Sequence, residues 1–259
     1  MEGKRWIAPD SEGYAFLPLQ RFFEDQSLAG YRSVSLWGGS PHIFVDCYGY
    51  ENPAEIKTMM ERFRIGSVCY RPQSYGYAFG APRGSMLWEA TLDYYRFSAE
   101  LASGLKAPVM VVEVGVELRD EDRVSQIDSA LDGVRRLGAE CKSQGVCLAL
   151  AAGTKESGAL INSVEGMKDF LAQAGEGVKA AFHAEAAISA GESLADWIRV
   201  FGRNLCHVRS GKRAEALAGM DREPRYTGYY ECVSSPEAVW AYNPDISGGI
   251  WKAERGQDG

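Results

Sequence analysis

The fold is decided by three consecutive stretches: Val109-Met-Val-Val-Glu-Val114, then Glu121–Ser143, then Val146-Cys-Leu-Ala-Leu150. The two flanking runs are continuously apolar, as strands covered on both faces require. Between them Val124, Ile127, Leu131, Val134 and Leu137 recur at spacings of three and four, giving a helix one apolar stripe to lay on a sheet. Gly145 follows the helix where a left-handed stop is needed. Strand, helix and strand in this order make a right-handed βαβ unit.

The unit repeats along the chain. Further β-like runs are Arg5–Ala8, Ser33–Trp37, Ser67–Tyr70, Lys179–His183, Leu205–Arg209 and Gly228–Val233. Helical patterns cover Leu17–Ala29, Pro53–Phe63, Trp88–Leu105, Val164–Ala174 and Glu192–Phe201. Asn52 before Pro53 and Ser163 before Val164 supply N-terminal caps. Gly175 and Gly202 follow helices as Gly145 does. Eight strands alternating with helices predict a (β/α)8 TIM barrel, with an open doubly wound sheet as the weaker alternative. No Gly/Pro/Ser-rich linker divides residues 1–259, so a single domain is expected. Two segments break the rhythm. Arg71–Ser85, rich in Gly, Pro and Tyr, reads as a long loop over the barrel mouth. Lys212–Tyr226 is too short for a full loop–helix–loop, so the seventh helix is expected to be shortened or missing. Pro236–Gly259 reads as a helical turn or two and a polar tail.

The 259 residues carry 28 basic and 35 acidic side chains, a net charge of −7. A nucleic-acid binder would show a basic excess, so that class is excluded, and a small-molecule ligand is expected instead. No apolar run approaches the ~18–20 residues that span a bilayer. Met1–Trp6 lacks the apolar core of a signal peptide, and the six cysteines form no CxxC pair. These features predict reduced thiols and a cytoplasmic protein without membrane partners. No GxGxxG follows a strand, and HExxH, GxSxG and an EF-hand loop are absent. Ser210-Gly211-Lys212-Arg213 lacks the leading Gly and the Ser/Thr of a phosphate loop.

Two segments carry a resemblance. Val34-Ser-Leu-Trp37-Gly38-Gly39-Ser40-Pro41-His42-Ile-Phe44 resembles the second strand and loop of the xylose-isomerase-like sugar isomerase/epimerase barrels, fructoselysine 3-epimerase-like members above all. Leu148-Ala-Leu-Ala151-Ala-Gly-Thr154-Lys-Glu156-Ser157 resembles their fifth strand and loop. Tyr70-Arg-Pro72, Leu205-Cys-His207-Val-Arg209 and Tyr226-Thr-Gly228-Tyr229 fall in the same order, so the resemblance covers residues 14–234. It implies a TIM barrel with its site at the C-terminal ends of the strands. It also implies one divalent metal held by Glu, Asp, His and Glu from strands five to eight, two of the carboxylates moving protons at the sugar carbon. Those four positions fall on Ala151, His183, Arg209 and Val233, and an acidic residue three positions after the seventh-strand His falls on Lys212. Glu231 lies two residues before Val233 on the same strand face. Ala and Val cannot coordinate a cation and Arg repels one, so neither that metal nor another cofactor is expected. A homodimer is compatible with the resemblance, since such barrels often pair through their mouth loops.

The remaining candidates each have two readings. Arg209, with Lys212 beside it, either grips a carboxylate or phosphate or pairs internally with Glu185, Glu113 or Glu231. His42 either reaches a ligand hydroxyl or steadies its loop. Glu156 either binds a hydroxyl or serves as a surface or cap residue. Glu113, ending an apolar run, needs a partner and is expected to face the mouth. His207, deeper than Arg209, reads as a core histidine. Trp37, Tyr70, Tyr75, Tyr77 and Phe79 either wall a sugar site or pack a loop. Glu113, Glu156 and His183 are the catalytic candidates; Trp37, His42, Glu156, His183, Arg209 and Lys212 are the binding candidates. Three functions follow: a divergent epimerase-like barrel, silent or metal-independent; a binding or accessory subunit for an acidic sugar or other anion; or a metal-dependent epimerase with displaced ligands.

Overall fold

The computed structural model describes residues 6–213 and 225–235. Eight parallel strands follow one another around a nearly closed barrel: β1 Ile7–Pro9, β2 Ser33–Gly38, β3 Gly66–Pro72, β4 Val109–Glu113, β5 Cys147–Ala151, β6 Lys179–His183, β7 Leu205–Arg213 and β8 Tyr230–Val233. β1 pairs with β8, and the seam to β2 is bridged at Asp10 and Ser35. Among the described residues seven α-helices lie outside: α1 Leu19–Leu28, α2 Ala54–Phe63, α3 Met86–Gly104, α4 Arg123–Ser143, α5 Val164–Ala174, α6 Ala184–Ala190 and α7 Leu194–Phe201. The connection expected to carry a shortened seventh helix lies largely at 214–224, outside the described residues, as does the tail from 236.

Local sequence explains the helix boundaries. Ser85, Asp122 and Ser163 accept hydrogen bonds from Trp88, Ser125 and Gly166 backbone N–H groups, capping α3, α4 and α5. Ser193 and Asp196 form a reciprocal capping box on α7. Asn52 accepts from the Ala54 N–H at 3.0 Å across Pro53, fixing the start of α2. Gly145, at φ +73°, stops α4. The stripe on α4 departs from expectation at its start: Val124 is exposed and Gln126 is buried instead. The Gln126 amide donates to the Leu118 and Glu121 carbonyls and accepts from the Leu118 N–H, so a polar staple occupies the first inward place. Helix α6 was not expected. It starts directly after His183, and its Ala-rich sequence carries little periodicity.

Alternation along the strands builds two cores. Outward residues such as Leu36, Tyr70, Met110, Val112, Leu148, Leu150, Phe182 and Val208 join the large helix–sheet cluster. A separate cluster of Cys69, Val111, Ala149, Ala151 and Ala181 lies inside the barrel. Barrel interiors are usually filled by bulky branched residues. These small side chains leave space along the axis, and charged groups from the strand ends fill it. Among the described residues no helix is long and apolar enough to cross a membrane, and no disulfide forms.

Gly38, ending β2, shows how tightly the outer core closes. A Cβ there would stand 2.2 Å from the hydroxyl oxygen of fully buried Tyr70. Gly38→Ala should destabilise the fold by about 1–3 kcal/mol through overpacking, read as a lower urea midpoint with an unchanged slope.

Candidate functional site

At the C-terminal end of the strands two arginines face each other across the barrel axis. Arg71 comes from β3 and Arg209 from β7. Both reach the same three carboxylate oxygens. Their terminal nitrogens lie 2.6 and 2.7 Å from Glu12 Oε2, and 3.7 and 3.5 Å from Asp10 Oδ2. Their Nε atoms lie 3.4 and 3.0 Å from Glu231 Oε1. Glu231 is fully buried, and its other oxygen, Oε2, faces deeper into the barrel. There it accepts from Ser35 Oγ at 2.5 Å and from His207 Nε2 at 3.1 Å.

The charges in this cage are set by one another. Burial opposes ionisation of Glu231, but Arg71, His207 and Arg209 hold its pKa well below the usual carboxylate range. Burial alone would depress His207; Cys69 and Glu231 beside the ring override it and raise its pKa to about 10. Burial and the neighbouring Glu231 raise Asp10 to about 7, only partly offset by the two arginines. Arg71 is held charged by the three carboxylates in spite of burial. The guanidinium charges are therefore largely neutralised within the cage.

Two cavities of about 200 and 180 Å³ open above the cage and share Glu113 and His183. The first also meets Gly153, Thr154, Ser157, Arg209 and Gly211; the second meets Glu12, Trp37, Arg71, Gln73, Ser74 and Tyr75. His183 Nδ1 lies 3.6 Å from Glu113 Oε1, and its Nε2 is buried with no hydrogen-bond partner. Burial outweighs Glu113 and lowers the His183 pKa, so the ring is neutral at neutral pH. Burial works against the Glu113 carboxylate, but His183 and the arginines bring its pKa below the ordinary value.

The candidates from sequence separate in space. Trp37, Glu113, His183 and Arg209 meet at the mouth. His42 stands apart with its Nε2 2.6 Å from the Leu17 carbonyl oxygen. Glu156 is exposed and accepts from Ser189 Oγ at 2.6 Å. Lys212 lies on the β7 backbone, its side chain outside the described residues. Of the aromatic residues, Trp37 and Tyr75 line the mouth, Tyr70 and Phe79 are fully buried, and Tyr77 stacks on Tyr94 at 3.9 Å. The internal partners of Arg209 are Glu231, Asp10 and Glu12, whereas Glu113 faces His183. Asp10, Glu12 and Arg71 were missed. Arg71 is not loop but the sixth residue of β3, two past Cys69 and on the same inward face. That alternation was the available signal. Asp10 and Glu12 follow a strand of only three residues and carried none.

No protein-family model matches the chain. Over 96 residues, 37% of its length, it is 26% identical to fructoselysine 3-epimerase of Escherichia coli O157:H7, and equally so to that of Shigella flexneri. The match spans 35% of the length of these relatives. Among solved structures, D-psicose 3-epimerase from Clostridium cellulolyticum H10 superposes with a TM-score of 0.67 at 15% identity, over 89% of this chain and 82% of that one. 3-Keto-D-glucoside 4-epimerase from E. coli superposes with a TM-score of 0.74 at 13% identity, over 94% and 98%. The fold is that of the xylose-isomerase-like sugar-epimerase barrels. In this barrel the strand-end layer holds His183, Arg209 and Glu231 in register across β6, β7 and β8. Val233 lies two residues beyond Glu231 on the same strand.

Two outcomes test the cage. Glu231→Gln leaves the arginines and His207 without their shared buried anion and should cost about 3–5 kcal/mol, measured by urea unfolding. The raised pKa values of His207 and Asp10 give a pH signature. The His207 contribution is full below its ordinary 6.5 and lost as pH rises through about 10. The Asp10 contribution is full below 3.8 and lost as pH rises through about 7. Unfolding free energy should therefore fall from pH 6.5 to 10, and His207→Gln should make the part of that fall above about pH 8 much smaller.

Proposed function

We propose that this barrel binds a neutral, sugar-like polyol at its mouth and carries out no epimerisation through the divalent ion that its resemblance to the sugar epimerases implies. The observation that carries this reading is Arg209. It stands where that resemblance places a histidine ligand, and it is held by Glu12 and Glu231. Ala151 and Val233 offer no donor atom, Arg209 offers only N–H groups, and Glu231, level with Arg209, has its outer oxygen held by both arginines, so in this layer the His183 ring alone is left to ligate. One imidazole beside a guanidinium does not fit a hard divalent ion.

What the mouth does present suits hydroxyl groups. The ionised Glu113 carboxylate accepts, the neutral His183 Nε2 is unpartnered, and Thr154, Ser157, Gln73 and Ser74 surround them. Trp37 and Tyr75 add apolar faces of the kind that cover a sugar ring. Glu113 and His183, common to both cavities, are the residues through which any proton would move. His42 and Glu156 have no part in this assignment, since each is engaged away from the cavities. An acidic sugar is the less favoured ligand, because three carboxylates already neutralise the arginine pair.

A thermal-shift screen in EDTA with D-fructose, D-psicose, D-tagatose, fructoselysine and sugar phosphates tests this. A neutral ketose should raise the melting temperature without added metal, a saturating ligand at 100 times Kd contributing about 2.7 kcal/mol. Glu113→Gln and His183→Ala should each weaken that ligand at least about tenfold, the loss of one well-placed hydrogen bond to a charged or buried group. A shift that needs added Mn²⁺ or Co²⁺, or one given by phosphates alone, would overturn the proposal.

A further inference from the structure

Below the arginine cage, one layer deeper in the barrel, three donor groups from distant parts of the chain converge. Cys69 comes from β3, His207 from β7 and Glu231 from β8. Their ligand atoms, one from each residue, all lie within 4.8 Å of one another, and all three residues are buried. Val111, Ala149, Ala151 and Ala181, the other members of this interior layer, are small and apolar. We propose that Cys69, His207 and Glu231 form a binding site for a borderline-soft divalent cation, zinc above all. This site shares Glu231 with the arginine cage but uses its deeper oxygen, and none of the three residues lines either mouth cavity.

The donor set selects the ion. A thiolate and an imidazole with one carboxylate suit zinc, cobalt or cadmium, whereas manganese and magnesium prefer oxygen. The His207 Nε2 to Glu231 Oε2 separation of 3.1 Å is close to the roughly 3.3 Å between nitrogen and oxygen ligands on a tetrahedral zinc. The two carboxylate oxygens of Glu231 divide the work. Oε1 faces the arginines, and Oε2 faces His207 and Ser35. A cation on Oε2 thus lies on the far side of the carboxylate from both guanidinium groups. Ser35 Oγ, 2.5 Å from Oε2, or a water supplies the fourth position. On binding, the thiol proton and the ring proton on Nε2 leave to solvent, so one dication replaces two protons inside the barrel.

Cobalt reads this site directly. Purified full-length protein, stripped with EDTA and desalted, is titrated with Co²⁺ under argon. The expected result is one equivalent bound, with a thiolate-to-cobalt charge-transfer band in the near ultraviolet that Zn²⁺ displaces. The band should disappear in Cys69→Ser and in Cys69→Ala, whose circular dichroism should match the parent, and should survive Cys147→Ser. No band in the parent protein, or a band retained in a folded Cys69 variant, would overturn the proposal. Should both Cys69 variants fail to fold, zinc retained after dialysis of the parent decides: about one equivalent supports the site, and less than about a tenth of an equivalent ends it.

Discussion

Two arginines meet across the axis in the mouth of this barrel, and three carboxylate oxygens hold them there. Like charges brought together away from water repel strongly, so Arg71 and Arg209 can occupy the axis only while Asp10, Glu12 and Glu231 remain in reach. The contributors come from the segment just after β1 and from β3, β7 and β8. They straddle the seam between β1 and β2, which is bridged at Asp10 and Ser35. Ser35 on β2 donates to Glu231 on β8, and Arg71 on β3 reaches back to Asp10. The barrel is therefore drawn shut at its weakest seam by side chains rather than by a full ladder of backbone hydrogen bonds.

The same arrangement limits the chemistry above it. A guanidinium shared among three carboxylates has little field left for an incoming anion, yet its edges can still meet hydroxyl groups. Asp10, raised to about 7 by burial and by Glu231, changes the charge of the cage near neutrality, and Glu231, Glu12 and both arginines feel that change. Glu113 and His183 lie outside this network and face each other at 3.6 Å, a distance that leaves both available to a ligand.

Much of the architecture was legible from periodicity. All eight strands lie where continuous apolar runs placed them, and α4 and α5 follow from stripes and caps. Helix α6 escaped because Ala184–Ala190 has no stripe and no loop before it. Glu113 and His183 were legible as polar endings of apolar runs. The partners of Arg209 were only partly so, because Asp10 and Glu12 sit some two hundred residues away in sequence and meet it only when the barrel closes. Cys69, His207 and Glu231 share no local spacing at all, so their convergence is a property of the closed fold.

The position of the β8 carboxylate shows how one side chain can serve two levels of a barrel. Alternate residues of a strand face the same side, and a two-residue step moves a side chain along the axis by about 6.6 Å. Glu231, two residues before Val233, is level with Arg209 and His183, while Val233 lies beyond that layer opposite Arg213. It meets His207 and Ser35 below and the arginines above, and it lines neither mouth cavity. The backbone of β8 needs no adjustment for this. A strand-end carboxylate can thus hold the arginines with one oxygen and the barrel interior with the other, and the partners on each side decide what it serves.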